Sequence, residues 1–304
     1  MSTALDAPDQ PASPPQTFLP ISTSRRVKNT LASVLVVAAF LVAVVPLVWL
    51  LISVISKGLP AIVSSGWWTR SLSGVLPDST RGGVYHAIYG TIIQALISGI
   101  LAVPIGILTA VYLVEYGRGR LAKTTSFMVD ILSGVPSIVA ALFIFALFIS
   151  LIGAPQSGLM VSLALVLLML PVVVRNTEEM LRLVPDELRE AAYALGIPKW
   201  KTILRIVLPT ALSGTVTGVM LALARVMGET APVLVLVGYA RAINFDPFEG
   251  NMASLPLLIY TELGTNPSAA GQLRIWGGAL TLIIIIMIFQ LAASLISRFS
   301  AISK

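Results

Sequence analysis

Residues 185–209 read PDELREAAYALGIPKWKTILRIVLP. This polar, helix-forming stretch lies between two long apolar segments that a short turn would have joined equally well. Leu188, Ala191, Ala192 and Leu195 recur at i, i+3, i+4, i+7, and Trp200, Ile203, Leu204 and Val207 repeat the pattern. That spacing predicts two short amphipathic helices with an apolar inner face. Pro185 followed by Asp186 and Glu187 suits a helix start, and Gly196 followed by Pro198 suits a stop and a restart. Arg189, Glu190, Tyr193 and Lys199 are then expected on the exposed face of a helix–turn–helix.

What flanks the loop is membrane. Charged residues are 11% of the 304, against about a quarter in a soluble domain, and the mean hydropathy is +0.91. Six apolar stretches can be marked, over about 30–55, 84–116, 124–152, 158–174, 211–237 and 275–296, each near the roughly twenty residues that cross a bilayer. The fold class is therefore all-α, a polytopic membrane protein with six spans. Residues 1–24 are rich in Pro, Ser and Ala and predict a disordered tail. Residues 25–83 carry the first span and an outer segment in which Trp67 and Trp68 suit an interfacial belt. Residues 84–299 hold the remaining spans, with the loop 185–209 inside them. The apolar stretch Met252 to Leu263 is too short to cross and predicts an interfacial or re-entrant helix.

Basic residues set the orientation. Arg25, Arg26 and Lys28, Arg118, Arg120 and Lys123, the loop's own cations, Arg298 and Lys304 fall on one side. Lys57, Arg70, Arg81, Arg241 and Arg274 fall on the other. The positive-inside rule then makes the loop and both termini cytoplasmic. The same rule accounts for the net charge of +6 without nucleic acid. Membrane lipid is the surrounding partner.

Several chemistries are excluded. The chain has no cysteine and one histidine, His86, so disulfides, thiolate metal sites and histidine clusters are ruled out. His86 is expected to be structural or interfacial. No G-x-x-x-x-G-K-[ST] occurs, so the chain has no phosphate loop of its own. The informative residues are polar ones inside apolar segments. Arg225 and Glu229 are four apart in the fifth stretch, on one face if the helix is continuous. Ionisable groups at such depth pair with one another or line a pathway. Thr230, Ala231 and Pro232 follow, and Pro232 should kink or unwind the helix at Gly228. A broken helix exposes backbone groups where transporters bind cargo. Arg175, Asn176, Thr177, Glu178 and Glu179 end the fourth span, with Arg175 placed to meet a departing anion. Ser133 and Ser137 flank Gly134-Val135-Pro136 in the third. Their hydroxyls face a polar lumen, or the small residues merely let helices pack.

The spacing EAA-xxx-G-x(9)-I-x-LP, from Glu190, Ala191 and Ala192 through Gly196 to Pro209, resembles the coupling loop of importer-type ABC transporter permeases. From about Gly82 to Phe299 the chain is similar to the permease subunits of the bacterial phosphate-specific ABC importer. The stretches that carry this are GGVYHAIYGT, AVPIGILTAVYLVEY, SGVPSIVAALF, the run from LPVVVRNTEEML through the loop, and LALARVMGETAPVL. RNTEEML and GETAPVL look like the A-type permease rather than its C-type partner. The resemblance implies the type I ABC importer permease fold and a loop docked in a groove of an ATPase subunit. It also implies a second, C-type permease, a cytoplasmic ATPase dimer that binds ATP and magnesium, and an extracytoplasmic phosphate-binding protein. No cofactor is then expected on this chain. Phosphate as cargo comes from the resemblance, since the residues alone point only to an anion. A sulfate or molybdate permease of the same type, a secondary transporter or channel without an ATPase, and a membrane scaffold or sensor are the alternatives.

Overall fold

The computed structural model describes residues 22–302, with side chains described as far as Leu295. The proline-rich stretch read as a disordered tail lies outside the described residues up to position 21, and Thr23 and Ser24 already belong to a helix. Among the described residues the chain is helical, with one isolated bridge, Ser157 to Gly250, and no strand. It divides into two units, 1–52 and 53–304. The first ends within α1 (Thr23–Ile62), a helix long and apolar enough to cross a membrane.

The second unit contains α2 (Tyr85–Val111), α3 (Gly119–Gly134), α4 (Ser137–Ile144), α5 (Gly158–Arg182), α6 (Asp186–Ala194) and α7 (Lys199–Thr202). It continues with α8 (Leu208–Met227), α9 (Ala231–Leu236), α10 (Leu255–Thr265) and α11 (Ala269–Ile302). Among the described residues, α1 included, five helical runs are each long and apolar enough to span, and a bent pair raises the number to 6. That pair is α3 with α4 and its π-helical continuation to Leu151, turned through 106°. The third stretch is therefore not one straight span. Pro136 holds φ −60°, ψ 139° and keeps Val135 extended at φ −71°, ψ 125°, as a proline imposes on itself and the residue before it.

The core is α5, wrapped by α2 and α8. Val161, Ala164, Met169, Val173 and Val174 of α5 are fully buried, as are Ala87, Ala102 and Ala110 of α2. Small residues let these helices approach where lipid offers no hydrophobic drive toward association. Gly218 of α8 lies against the Asn176 side chain of α5, where a Cβ would collide. The segment 252–258 is buried in turn, so the predicted re-entrant element is α10, packed into the protein.

A buried ion pair fastens one end. Arg274 of α11, 3% exposed, meets Glu262 of α10 at 3.2 Å and donates to the carbonyls of Leu76, Pro77 and Ser79. Trp67, expected in an interfacial belt, is instead 3% exposed with Nε1 donating to Thr281 Oγ1 at 2.9 Å. Trp68 keeps more exposure and donates to the Ile62 carbonyl. Both indole N–H groups have protein acceptors, and only Trp67, whose acceptor Thr281 is itself buried in α11, lies inside the fold.

Candidate functional site

The polar loop forms the two predicted helices, but their environment differs from expectation. The first, α6, ends in a Schellman turn: Ile197 N–H donates to Ala192 O at 3.0 Å and Gly196 N–H to Tyr193 O at 2.9 Å. Gly196 has φ +73° with open space around it, so glycine is selected here by backbone conformation. The second helix does not stop at the membrane. It runs from Lys199 through a π-helical turn, Ile203–Val207, into α8, a continuous 29-residue run to Met227. Pro209 sits just beyond that turn, which widens the helix where the proline lacks its N–H.

Arg189 was expected on the exposed face, yet its side chain is 12% exposed. It pairs with Glu115 at 3.0 Å and donates to the carbonyls of Val184 and Leu181. Lys199 donates to the Glu115 carbonyl and lies over the Tyr116 ring. Both cations therefore bind the loop to the end of the second span. The apolar residues show the reverse. Ala192, Ile203 and Val207 are buried, whereas Leu188, Leu195, Trp200 and Leu204 are 40, 80, 60 and 56% exposed. Tyr193, Glu190 and Ala191 are exposed beside them. The loop thus presents an apolar, aromatic-bearing outer surface held from behind by ion pairs.

The expected break in the fifth span is present. Helix α8 ends at Met227, Gly228 caps it, and α9 restarts at Ala231 with Pro232 in its first turn. Glu229 and Thr230 lie in the interruption, so Arg225 and Glu229 do not share a helix face. No ion pair joins them, and neither side chain has a polar partner among the described residues. Arg225 is exposed in the last turn of α8, while Glu229 and Thr230 are half-buried.

Arg175 is held. Nη2 and Nε donate to Asp130 Oδ1 at 2.5 and 3.1 Å, Nη2 also to Ser126 Oγ at 2.8 Å, and Nη1 to Glu178 Oε2 at 2.5 Å. Glu178, with its side chain 10% exposed, binds Arg182 at 2.7 Å through its other oxygen. Thr177, expected near the pathway, is fully buried against the core with Oγ1 unpartnered. Ser133 Oγ donates to the Asp130 carbonyl at 2.7 Å, Ser137 is half-buried, and Gly134 faces open space. Among the described residues none packs closely against that glycine. Asp130, Glu115 and Ser126 escaped the sequence reading because their partners lie 45, 74 and 49 residues away.

At the opposite end His86, expected to be structural or interfacial, is 2% exposed. Neither of its ring nitrogens has a partner among the described residues, and the same holds for the Tyr239 hydroxyl and Arg241 Nε. Burial pushes the Tyr239 phenol up to about 12. Among the described residues no group of acidic, histidine or cysteine side chains is arranged to hold a metal.

Residues 102–301 match the family model described as a binding-protein-dependent transport system inner membrane component. The chain is 62% identical over 300 residues to phosphate transport system permease protein PstA 1 of Mycobacterium tuberculosis, covering 99% of this chain and 96% of the relative. It is 66% identical over 267 residues to PstA of Mycobacterium leprae, 88% of each chain. PstA of Yersinia pestis is 38% identical over 273 residues, 90% of each. Among solved structures, an importer of the acidic polysaccharide alginate superposes with TM-score 0.61 at 16% identity, covering 90% of this chain and 98% of that one. The inward-facing methionine transporter MetNI gives 0.57 at 21% identity, covering 72 and 94%. Both likenesses establish the shared fold.

Proposed function

This chain belongs to the binding-protein-dependent transport system inner membrane components, in the line of the PstA phosphate transport permeases, and we propose that it forms half of the membrane pathway of an ATP-driven phosphate importer. It is a multi-pass membrane subunit and not an enzyme by itself, ATP hydrolysis falling to a separate ATPase. An ATPase and a binding protein are the partners such a permease works with.

The finer assignments are these. A C-type permease completes the pathway, and an ATPase dimer carrying ATP and magnesium sits at the cytoplasmic face. The exposed Tyr193, Leu195 and Trp200 of the loop dock on that ATPase, while Arg189 and Lys199 transmit its movement to Glu115 and the second span. Both termini are cytoplasmic. Closure of the ATPase dimer then moves the loop and switches the pathway between outward and inward access.

The observation that carries the reading is Arg225. It is an exposed cation with no acidic partner among the described residues, placed at the end of a helix that unwinds at Gly228. An anion crossing low dielectric needs such a charge, and a planar guanidinium fits phosphate oxygens. The test is uptake of labelled phosphate by the complete complex in proteoliposomes. ATP-dependent phosphate uptake that excess sulfate leaves intact is expected. Sulfate uptake that phosphate fails to compete would overturn the cargo.

A further inference from the structure

Arg175 lies seven residues before the end of α5, about 10 Å along the helix from the loop, and carboxylates fill its fork. The two differ in kind. Glu178 is buried and tied to two arginines of its own helix, so moving it would strand both. Asp130 comes from α3, the first limb of the broken span, and its side chain is 63% exposed with Arg175 as its one ion-pair partner. Its carboxylate is thus held on one side and already open on the other. Within this cluster Arg175 and Arg182 face two carboxylates, Asp130 and Glu178, so the Arg175 guanidinium is already matched by negative charge.

Asp130 meets the guanidinium through one oxygen, Oδ1, which accepts from both Nε and Nη2, and a phosphate oxygen can accept from the same two N–H groups. An anion cannot occupy Arg175 while Asp130 does. We propose that Asp130 is a built-in surrogate anion, which takes the seat on Arg175 in this state and so prevents the loop-side mouth from binding phosphate back. Departing cargo exchanges with Asp130 as α3 moves away from α5, and Asp130 reclaims the arginine afterwards. Asp130 acts through Arg175 and is a positioning residue. The inference rests on the phosphate reading of the pathway.

The test measures how strongly phosphate on the cytoplasmic face inhibits uptake by the full complex in proteoliposomes. Asp130→Asn keeps the shape and removes the charge. Its half-inhibiting internal phosphate concentration is expected to fall about tenfold or more below that of the wild type, the order set by one charge-assisted hydrogen bond. Asp130→Glu restores the charge and should stay near the wild type. Asp130→Ser serves if the asparagine variant does not assemble. A changed uptake rate with an unchanged half-inhibiting concentration means a purely structural residue and overturns the proposal. Should the wild-type complex take up no phosphate, the cargo reading fails instead. Labelled phosphate binding to the nucleotide-free complex in detergent then still decides Asp130, by gain of binding in Asp130→Asn or none.

Discussion

At the scale of single residues, charge placement decides what each ionisable group does. Arg274 and Glu262 are both buried, and the arginine also satisfies three carbonyls of the segment 76–79. Removing one member of such a pair strands the other in low dielectric at a cost of about 3–5 kcal/mol. Arg274→Met should therefore lower the thermal midpoint of the purified complex markedly, and adding Glu262→Gln should recover part of the loss. An unchanged midpoint in the single variant would mean the pair is not closed in the membrane. The sequence placed Arg274 by side alone, because Glu262 as its partner is set by how α10 folds back on α11. Arg189 shows the same limit. Local periodicity put it on an outer face, but Glu115, far along the chain, drew it inward. Arg225 is the converse: its expected partner, Glu229, is four residues away, and the helix break removes that partner from its face.

At the scale of elements, breakers were readable and their geometry was not. Pro232 predicted an interrupted fifth span, and the interruption falls at Gly228 to Thr230. In the third stretch Gly134-Val135-Pro136 points only to packing or a polar lumen, and the 106° turn at its extended Val135 and Pro136 is not anticipated. The Gly196 turn was fully legible, since a left-handed residue between two amphipathic helices leaves a plain signature. Gly196→Val places a β-branched side chain at φ +73°, a conformation it resists by about 1–2 kcal/mol or more. The variant should insert in the membrane, yet co-purify with far less ATPase and lose ATP-driven uptake. Full ATPase recovery with normal uptake would contradict the role given to the loop. Its outer surface was misjudged because apolar periodicity cannot say which partner the apolar face meets. Leu188, Leu195 and Trp200 are left exposed among the described residues.

At the scale of the whole molecule, six apolar stretches and a basic bias led to a permease with its loop and termini in the cytoplasm. The helical architecture and the family agree with a multi-pass permease; cysteine labelling tests the side on which the loop and termini lie. Single cysteines at Ser24 and Ser303, in a chain with no native cysteine, should be labelled from the cytoplasm, and one at Ser73 from outside. Opposite-sided labelling of Ser24 and Ser303 would exclude six spans. The central claim is that Arg225 is a pathway charge and not half of a structural pair. The direct measurement is ATP-driven phosphate uptake by the reconstituted complex carrying Arg225→Gln, alone and together with Glu229→Gln. Loss of one preorganised charge should reduce uptake by about a hundredfold or more. Complex assembly should be normal in both variants, and the second substitution should restore nothing, because no pair exists to be rebalanced. Recovery of uptake in the double variant would contradict the account.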